Sequence, residues 1–151
     1  MDSATAKLWM QEALAEARKA ENLGEVPIGA IVLVNEKIVG RGFNSSIRMH
    51  DPTAHAEIVA LRQAAYNSAN YRIPGSILIT TIEPCIMCVG AMIQARVEHL
   101  IYGAADPKAG AVHSCYHLAE ENTLNHRIEV TSGILEKECG SLMTAFFASR
   151  R

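Results

Sequence analysis

The stretch from Ser76 to Gly103, SILITTIEPCIMCVGAMIQARVEHLIYG, reads strand, helix, strand with almost nothing spent on connections. SILITTI and VEHLIYG are short apolar runs of strand length, and PCIMCVGAMIQAR carries a proline near the first turn of a helix. Two strands joined through a helix in this way pair in parallel, through a right-handed crossover. No other segment leaves the chain so few topologies.

The flanking segments extend this unit. VPIGAIVLV, the turn NEK and IVGRGFN predict a hairpin, which makes the sheet mixed. Residues from about Thr5 to Leu23 form an amphipathic helix with Trp9, Met10, Ala13, Leu14, Ala17 and Ala20 on one face, and Gly24 stops it. DPTAHAEIVALRQAAYNSAN opens with the helix-start residues Asp51, Pro52 and Thr53 and continues as a helix. Residues 104–126 have no clean period, and a connection that long is functional or locally helical. RIEVTSG predicts a fifth strand. ILEKECGSLMTAFFASR closes as a helix with Leu135, Cys139, Leu142, Met143 and Phe146 on one face. The expected fold is a single α/β domain over residues 1–151, with three α/β/α layers and helices on both faces of a mixed five-stranded sheet.

Composition excludes several classes. Hydrophobic residues make up 49% of the chain, which rules against disorder. The longest apolar run, Ile28 to Val34, falls far short of the roughly 20 residues of a membrane span. MDSATAKLWM lacks the pattern of a signal peptide, so a soluble cytoplasmic protein with no membrane association is expected. In that compartment Cys85, Cys88, Cys115 and Cys139 are reduced. A net charge of −2 speaks against a nucleic-acid binder that works through a broad basic surface.

Cys85 and Cys88 form a CxxC pair, which suits a redox centre, half of a structural zinc site or part of a catalytic one. A catalytic zinc takes three protein ligands, and the chain has no second CxxC. Cys139 falls on the apolar face of the last helix, where a buried inert thiol is expected. The third ligand is then a histidine or a carboxylate. His50, His99, His113, His117 and His126 have no special neighbours, whereas His55 stands in TAHAE, two residues before Glu57. Residues i and i+2 diverge in mid-helix but converge around an open N-terminal end. Two helix N-termini meeting at one metal favour thiolates. Two thiolates also neutralise the dication and weaken its acidifying effect on water, so a nearby general base such as Glu57 becomes useful.

HAE followed by EPCIMC resembles the zinc nucleoside and nucleobase deaminases, whose signature is H-x-E…P-C-x-x-C. Within that group GEVPIGAIVL, HDPTAHAEIVALRQA, YGAADPKAGA, LNHR and the late FF resemble the bacterial tRNA-specific adenosine deaminases. The resemblance implies a cytidine-deaminase-like fold, one Zn2+ per subunit and a homodimer whose subunits both line an RNA groove. It further implies conversion of adenosine to inosine at the wobble position of a tRNA anticodon stem-loop. His55, Cys85 and Cys88 match the zinc ligands. Glu57 matches the glutamate that shuttles protons while zinc-activated water attacks adenine C6. Asn44, Asp106, Lys108, Asn125, Phe146 and Arg150 match substrate contacts, and Arg48, Arg127 and Arg151 add basic groups. The alternative within the same chemistry is a deaminase of a free base or nucleoside, such as guanine or cytidine. His113 and Cys115 replace a Gly and a Leu common in the family, and the chain stops at Arg151 without the longer basic tail of many members. Both departures bear on RNA affinity rather than on the chemistry.

Overall fold

The computed structural model describes residues 1–150; Arg151 lies outside the described residues. Strands β1 (Gly29–Val34), β2 (Lys37–Phe43), β3 (Ile77–Ile82), β4 (His99–Ala104) and β5 (Glu129–Thr131) form one sheet in the order β2-β1-β3-β4-β5. The hairpin turns at Asn35 and Glu36, both with positive φ, the two-residue geometry that suits the twist of paired strands. β1 is antiparallel to β2 and β3, while β3, β4 and β5 are parallel. β2, β3, β4 and β5 therefore all point the same way, and their C-terminal ends share one edge of the sheet.

Alternation along the strands divides the core into two layers. Ala30, Val32, Leu78 and Leu100 face α2 (Ala56–Ser68) and α3 (Ile86–Ala95). Ile31, Leu33, Ile79 and Ile101 face α1 (Ser3–Asn22) and the layer holding Cys139 of α4 (Glu136–Ala148). This is the expected three-layer α/β/α arrangement. Cys139 and Phe146 are buried as the α4 periodicity predicts, and Leu135, Leu142 and Met143 flank the core. Residues 105–128 contain one 3-10 turn, Leu118–Glu120. No helix among the described residues is long and apolar enough to cross a membrane.

Two boundaries differ from the sequence expectation. α2 begins at Ala56, not near Asp51. The Asp51 carboxylate accepts hydrogen bonds from the Thr53 amide (2.8 Å) and hydroxyl (2.7 Å), closing a separate turn ahead of the helix. Pro84 likewise stands outside α3, whose N-cap is Cys85.

The seat of α2 positions everything at its N-terminus. Ala56, Ala60 and Ala64 make a stripe of small residues one turn apart, and the stripe rests on Gly40 and Gly42 of β2. A Cβ at Gly42 would meet the Ala56 carbonyl at 2.3 Å, and one at Gly40 the Ala60 carbonyl at 2.2 Å. Gly140 in α4 is the contrasting case, since a Cβ there would sit 3.7 Å from that of Ala104, an ordinary contact. Gly42→Ala is expected to lower stability by about 1–3 kcal/mol through overpacking. Gly140→Ala should raise it by about 0.5–1 kcal/mol through backbone entropy. Chemical denaturation of both variants checks the pair of signs.

Candidate metal centre

His55 and Cys85 are the N-caps of α2 and α3. Neither uses its side chain to cap its own helix, so both are free to face outward from the helix end. Cys88 is the third residue of α3, one turn beyond Cys85. The His55 Nδ1 lies 3.5 Å from Cys85 Sγ and 3.6 Å from Cys88 Sγ, and the two sulfurs are 3.7 Å apart. A tetrahedral zinc with bonds of about 2.3 Å to sulfur and about 2.0–2.1 Å to nitrogen has S···S edges of about 3.8 Å and S···N edges of about 3.6 Å. The three donors fit one zinc ion per chain. Among the described residues they are also the one cluster of three candidate ligands this close together.

The electrostatics agree. The Cys85 thiol is lowered to about 4, first by the proton it shares with Cys88. The same sharing, with burial, pushes Cys88 up. Two thiolates so close cannot both ionise without a cation between them; a bound dication removes that repulsion. His55 is raised, chiefly by its hydrogen bond to Cys85. Glu57, the second residue of α2, is 4% exposed, and burial lifts its carboxyl to about 7. A group near neutrality can both take and return a proton.

The centre lies at the sheet edge where β2, β3 and β4 end. Residues 3–104 match the family of the cytidine and deoxycytidylate deaminase zinc-binding region. The chain belongs to this zinc deaminase family. It is 48% identical over 143 residues to the tRNA-specific adenosine deaminase of Haemophilus influenzae, covering 94% of this chain and 83% of that one. It is 43% identical over 145 residues to the Bacillus subtilis enzyme of the same name, covering 96% and 90%. A structure from a study of A-to-I editing by tRNA:A34 deaminases at the wobble position of transfer RNA superposes with a TM-score of 0.86 at 41% identity, covering 88% of this chain and 96% of that one. The guanine deaminase of Nitrosomonas europaea shares the fold, with a TM-score of 0.76 at 24% identity, covering 92% of this chain and 82% of that one.

Beyond the zinc deaminase signature, the remaining sequence-assigned residues divide. Asn44 follows β2 at the metal edge; it is buried, and among the described residues its side chain carries only a long contact from the Ser46 hydroxyl (3.5 Å). Lys108 is exposed in the loop after β4. The Asp106 carboxylate is committed to that loop, accepting from the Lys108 (3.0 Å) and Ala109 (3.2 Å) amides. Phe146 is only 6% exposed and lies under the Arg150 guanidinium, 4.0 Å from the ring centroid; Phe147 is the open aromatic at 47%. Arg150 also donates to the Gly24 carbonyl (3.3 Å). Arg48 stacks on Phe43, and Arg127 donates to Asn122. Asn125 is not brought to the centre of its own chain. It precedes β5 at the opposite sheet edge, where His126 donates to the Val97 carbonyl.

Two residues escaped the sequence reading. Glu25 is buried and accepts the Ile47 (3.2 Å) and Arg48 (2.7 Å) amides, holding the loop after Asn44. Glu83 is 3% exposed and holds the loop after β4. Burial alone would raise the Glu83 carboxyl, but hydrogen bonds from the Ser114 hydroxyl and from the His113, Asp106 and Ser114 amides outweigh it and hold the group below its ordinary value. An acid immediately before PCxxC, closing an apolar strand, was the available signal. His113 and Cys115 are both exposed and neither has the positive φ that would demand glycine, but each touches its surroundings: the Cys115 thiol donates to the Pro107 carbonyl across the loop (2.9 Å), and His113 Nδ1 lies 3.7 Å from the Glu120 carboxylate.

Cys88→Ala leaves two ligands. Metal analysis should find about one zinc per wild-type chain and nearly none in the variant, because two donors do not hold zinc against buffer. The variant's melting temperature should match that of chelator-treated wild type.

Proposed function

We propose that this chain hydrolytically deaminates adenosine to inosine at the wobble position of a tRNA anticodon. The observation that carries the reading is the 48% and 43% identity to tRNA-specific adenosine deaminases over nearly the whole chain, which reaches well past the metal ligands into the rim loops. The guanine deaminase likeness extends to the fold alone.

When bound, zinc supplies Lewis acidity and a position for the attacking water. Glu57 does the proton work. Its carboxylate takes one proton from the water as oxygen bonds to C6 and delivers it to N1, then takes the second from the oxygen now on C6 and passes it to the amine as the C6–O double bond forms and the C6–N bond breaks. Water is consumed, ammonia leaves and inosine remains. The buried position of Glu57 keeps its carboxyl near neutrality, which suits both directions of transfer. Asn44 meets the target nucleoside at the end of β2. Lys108, Arg48 and Arg150 meet the RNA backbone, and the open ring of Phe147, braced by Phe146, offers a stacking face. Asp106 shapes the loop that presents Lys108. A single-stranded loop read this way does not require a strongly basic protein, so the net charge of −2 is compatible with it. Work on tRNA places the enzyme in the cytoplasm.

The working unit in this reading is a homodimer. The groove between α2 and α3 is apolar, lined by Ile58, Leu61, Ala65, Met87 and Ala91, with Tyr71 (67% exposed) at its side. We assign Asn125 to the RNA groove that the two subunits share. Light scattering should give twice 16.4 kDa, and Tyr71→Asp should shift the mass toward the single chain; a wild-type mass of one chain contradicts the dimer.

Activity is tested on an anticodon stem-loop carrying wobble adenosine beside free adenosine, cytidine and guanine. Wild type should release ammonia from the stem-loop and not from the free compounds; the reverse pattern selects the small-molecule reading. Glu57→Ala should keep about one zinc and lose about 10²–10⁴-fold in rate. Loss of zinc from that variant would make Glu57 a ligand rather than a proton carrier.

A further inference from the structure

The carboxylate of Glu83 gathers two separated parts of one loop. Its Oε2 accepts the successive amides of Val112 (3.0 Å), His113 (2.9 Å) and Ser114 (3.1 Å), a concave nest of N–H groups closed on an anion. Its Oε1 accepts the Asp106 amide (3.1 Å) and the Ser114 hydroxyl. Residues 107–109 are thereby held out to solvent as a turn that carries Lys108, with Gly110 and Ala111 buried behind it. The backbone is cut to fit: a Cβ at Gly110 would meet the Glu83 Cδ and Oε1 at 2.4 Å. The Ala111 amide donates to the Pro84 carbonyl (2.9 Å), and Cys85 follows directly. The loop and the turn bearing a metal ligand are one hydrogen-bonded unit.

We propose that Glu83 is a positioning residue for the substrate, tying residues 106 and 112–114 to the Cys85 turn so that the wall of the site and the metal centre keep a constant spacing. This rests on the reading that the loop after β4 faces the RNA. Glu83 touches neither the substrate nor a reacting atom. Its effect on the reaction is to spare the substrate the ordering of the loop, so its loss appears in binding more than in chemistry. A neutral amide cannot replace the acid. Glutamine presents an oxygen to one set of donors and an N–H2 to the other, leaving buried donors facing donors.

The test compares wild type, Glu83→Gln and Ser114→Ala as zinc-loaded full chains. In Glu83→Gln, zinc stays at about one per chain. Amide exchange at Asp106 and at 112–114 quickens roughly tenfold or more, while β3 and β4 stay protected. KM for the anticodon stem-loop rises roughly tenfold, with kcat within about threefold of wild type. Ser114→Ala removes one of the five hydrogen bonds from an intermediate-exposure position and should move exchange and KM the same way, by roughly threefold. If Glu83→Gln does not fold, Ser114→Ala decides. Wild-type exchange in either folded variant, zinc loss from Glu83→Gln, or a fall in kcat at constant KM each overturns the proposal. The exchange measurement contains no substrate. A wild-type chain inactive on the stem-loop would therefore sink the RNA reading separately, with exchange still reporting on the clamp.

Discussion

α2 can approach the sheet at Gly40 and Gly42 only because neither side of that contact carries a bulky side chain, and the geometry of the metal centre depends on it. With Ala56 and Ala60 resting on strand backbone, the first turn of α2 is held at the edge where β2 and β3 end. The α3 N-terminus reaches the same edge by a shorter route, starting four residues after β3. His55 and Cys85, the two N-caps, therefore arrive 3.5 Å apart although 30 positions separate them in the chain. Any side chain that lifted α2 by an ångström or two would open the donor triangle. The convergence also brings two helix-end dipoles to one point, where they favour thiolates and would assist the Lewis acidity of a zinc ion held by His55, Cys85 and Cys88.

The local boundaries of these helices were the least legible part of the sequence. Asp51, Pro52 and Thr53 are good helix starters, yet the Asp51 carboxylate spends itself on the Thr53 amide and hydroxyl and closes a turn of its own. Short polar side chains compete with helix for backbone donors, and tertiary fit decides which wins. The later start improves the site. With His55 as cap and Glu57 as second helical residue, the i, i+2 pair flanks a helix end instead of diverging across a helix body. Both residues lie at the N-terminal end of α2, and the signal for the helix start stands several residues ahead of it.

The rim loops are where sequence reasoning missed most. A buried carboxylate that serves backbone amides looks, in sequence, like any surface acid. Glu25 stands in the connection from α1 to β1 and Glu83 directly after β3, and each holds a rim loop, one after β2 and one after β4. Glu83 holds the loop through main-chain amides and the Ser114 hydroxyl, and the Cys115 thiol adds a bond to the Pro107 carbonyl, so one of the two departures contributes to the loop it stands in. Asp106 likewise serves its own loop, accepting the Lys108 and Ala109 amides through one oxygen, and Phe147 rather than Phe146 is the open ring.

The sequence by itself determined the three layers, the mixed sheet, the burial of both faces and the His55, Cys85 and Cys88 trio that the structure gathers into a cluster able to hold a metal. Those follow from periodicity, which is local, and from residue chemistry, which is fixed by composition. Only the tertiary structure decided which end of the sheet the donors share, that Asn125 lies at the other end, and which acids are anchors and not surface charge. Such facts depend on distances between residues far apart in the chain, and those distances are set by how closely helices can approach strands. A glycine in β2 and a carboxylate after β3 carry that information, yet in one dimension nothing marks what will be brought against them.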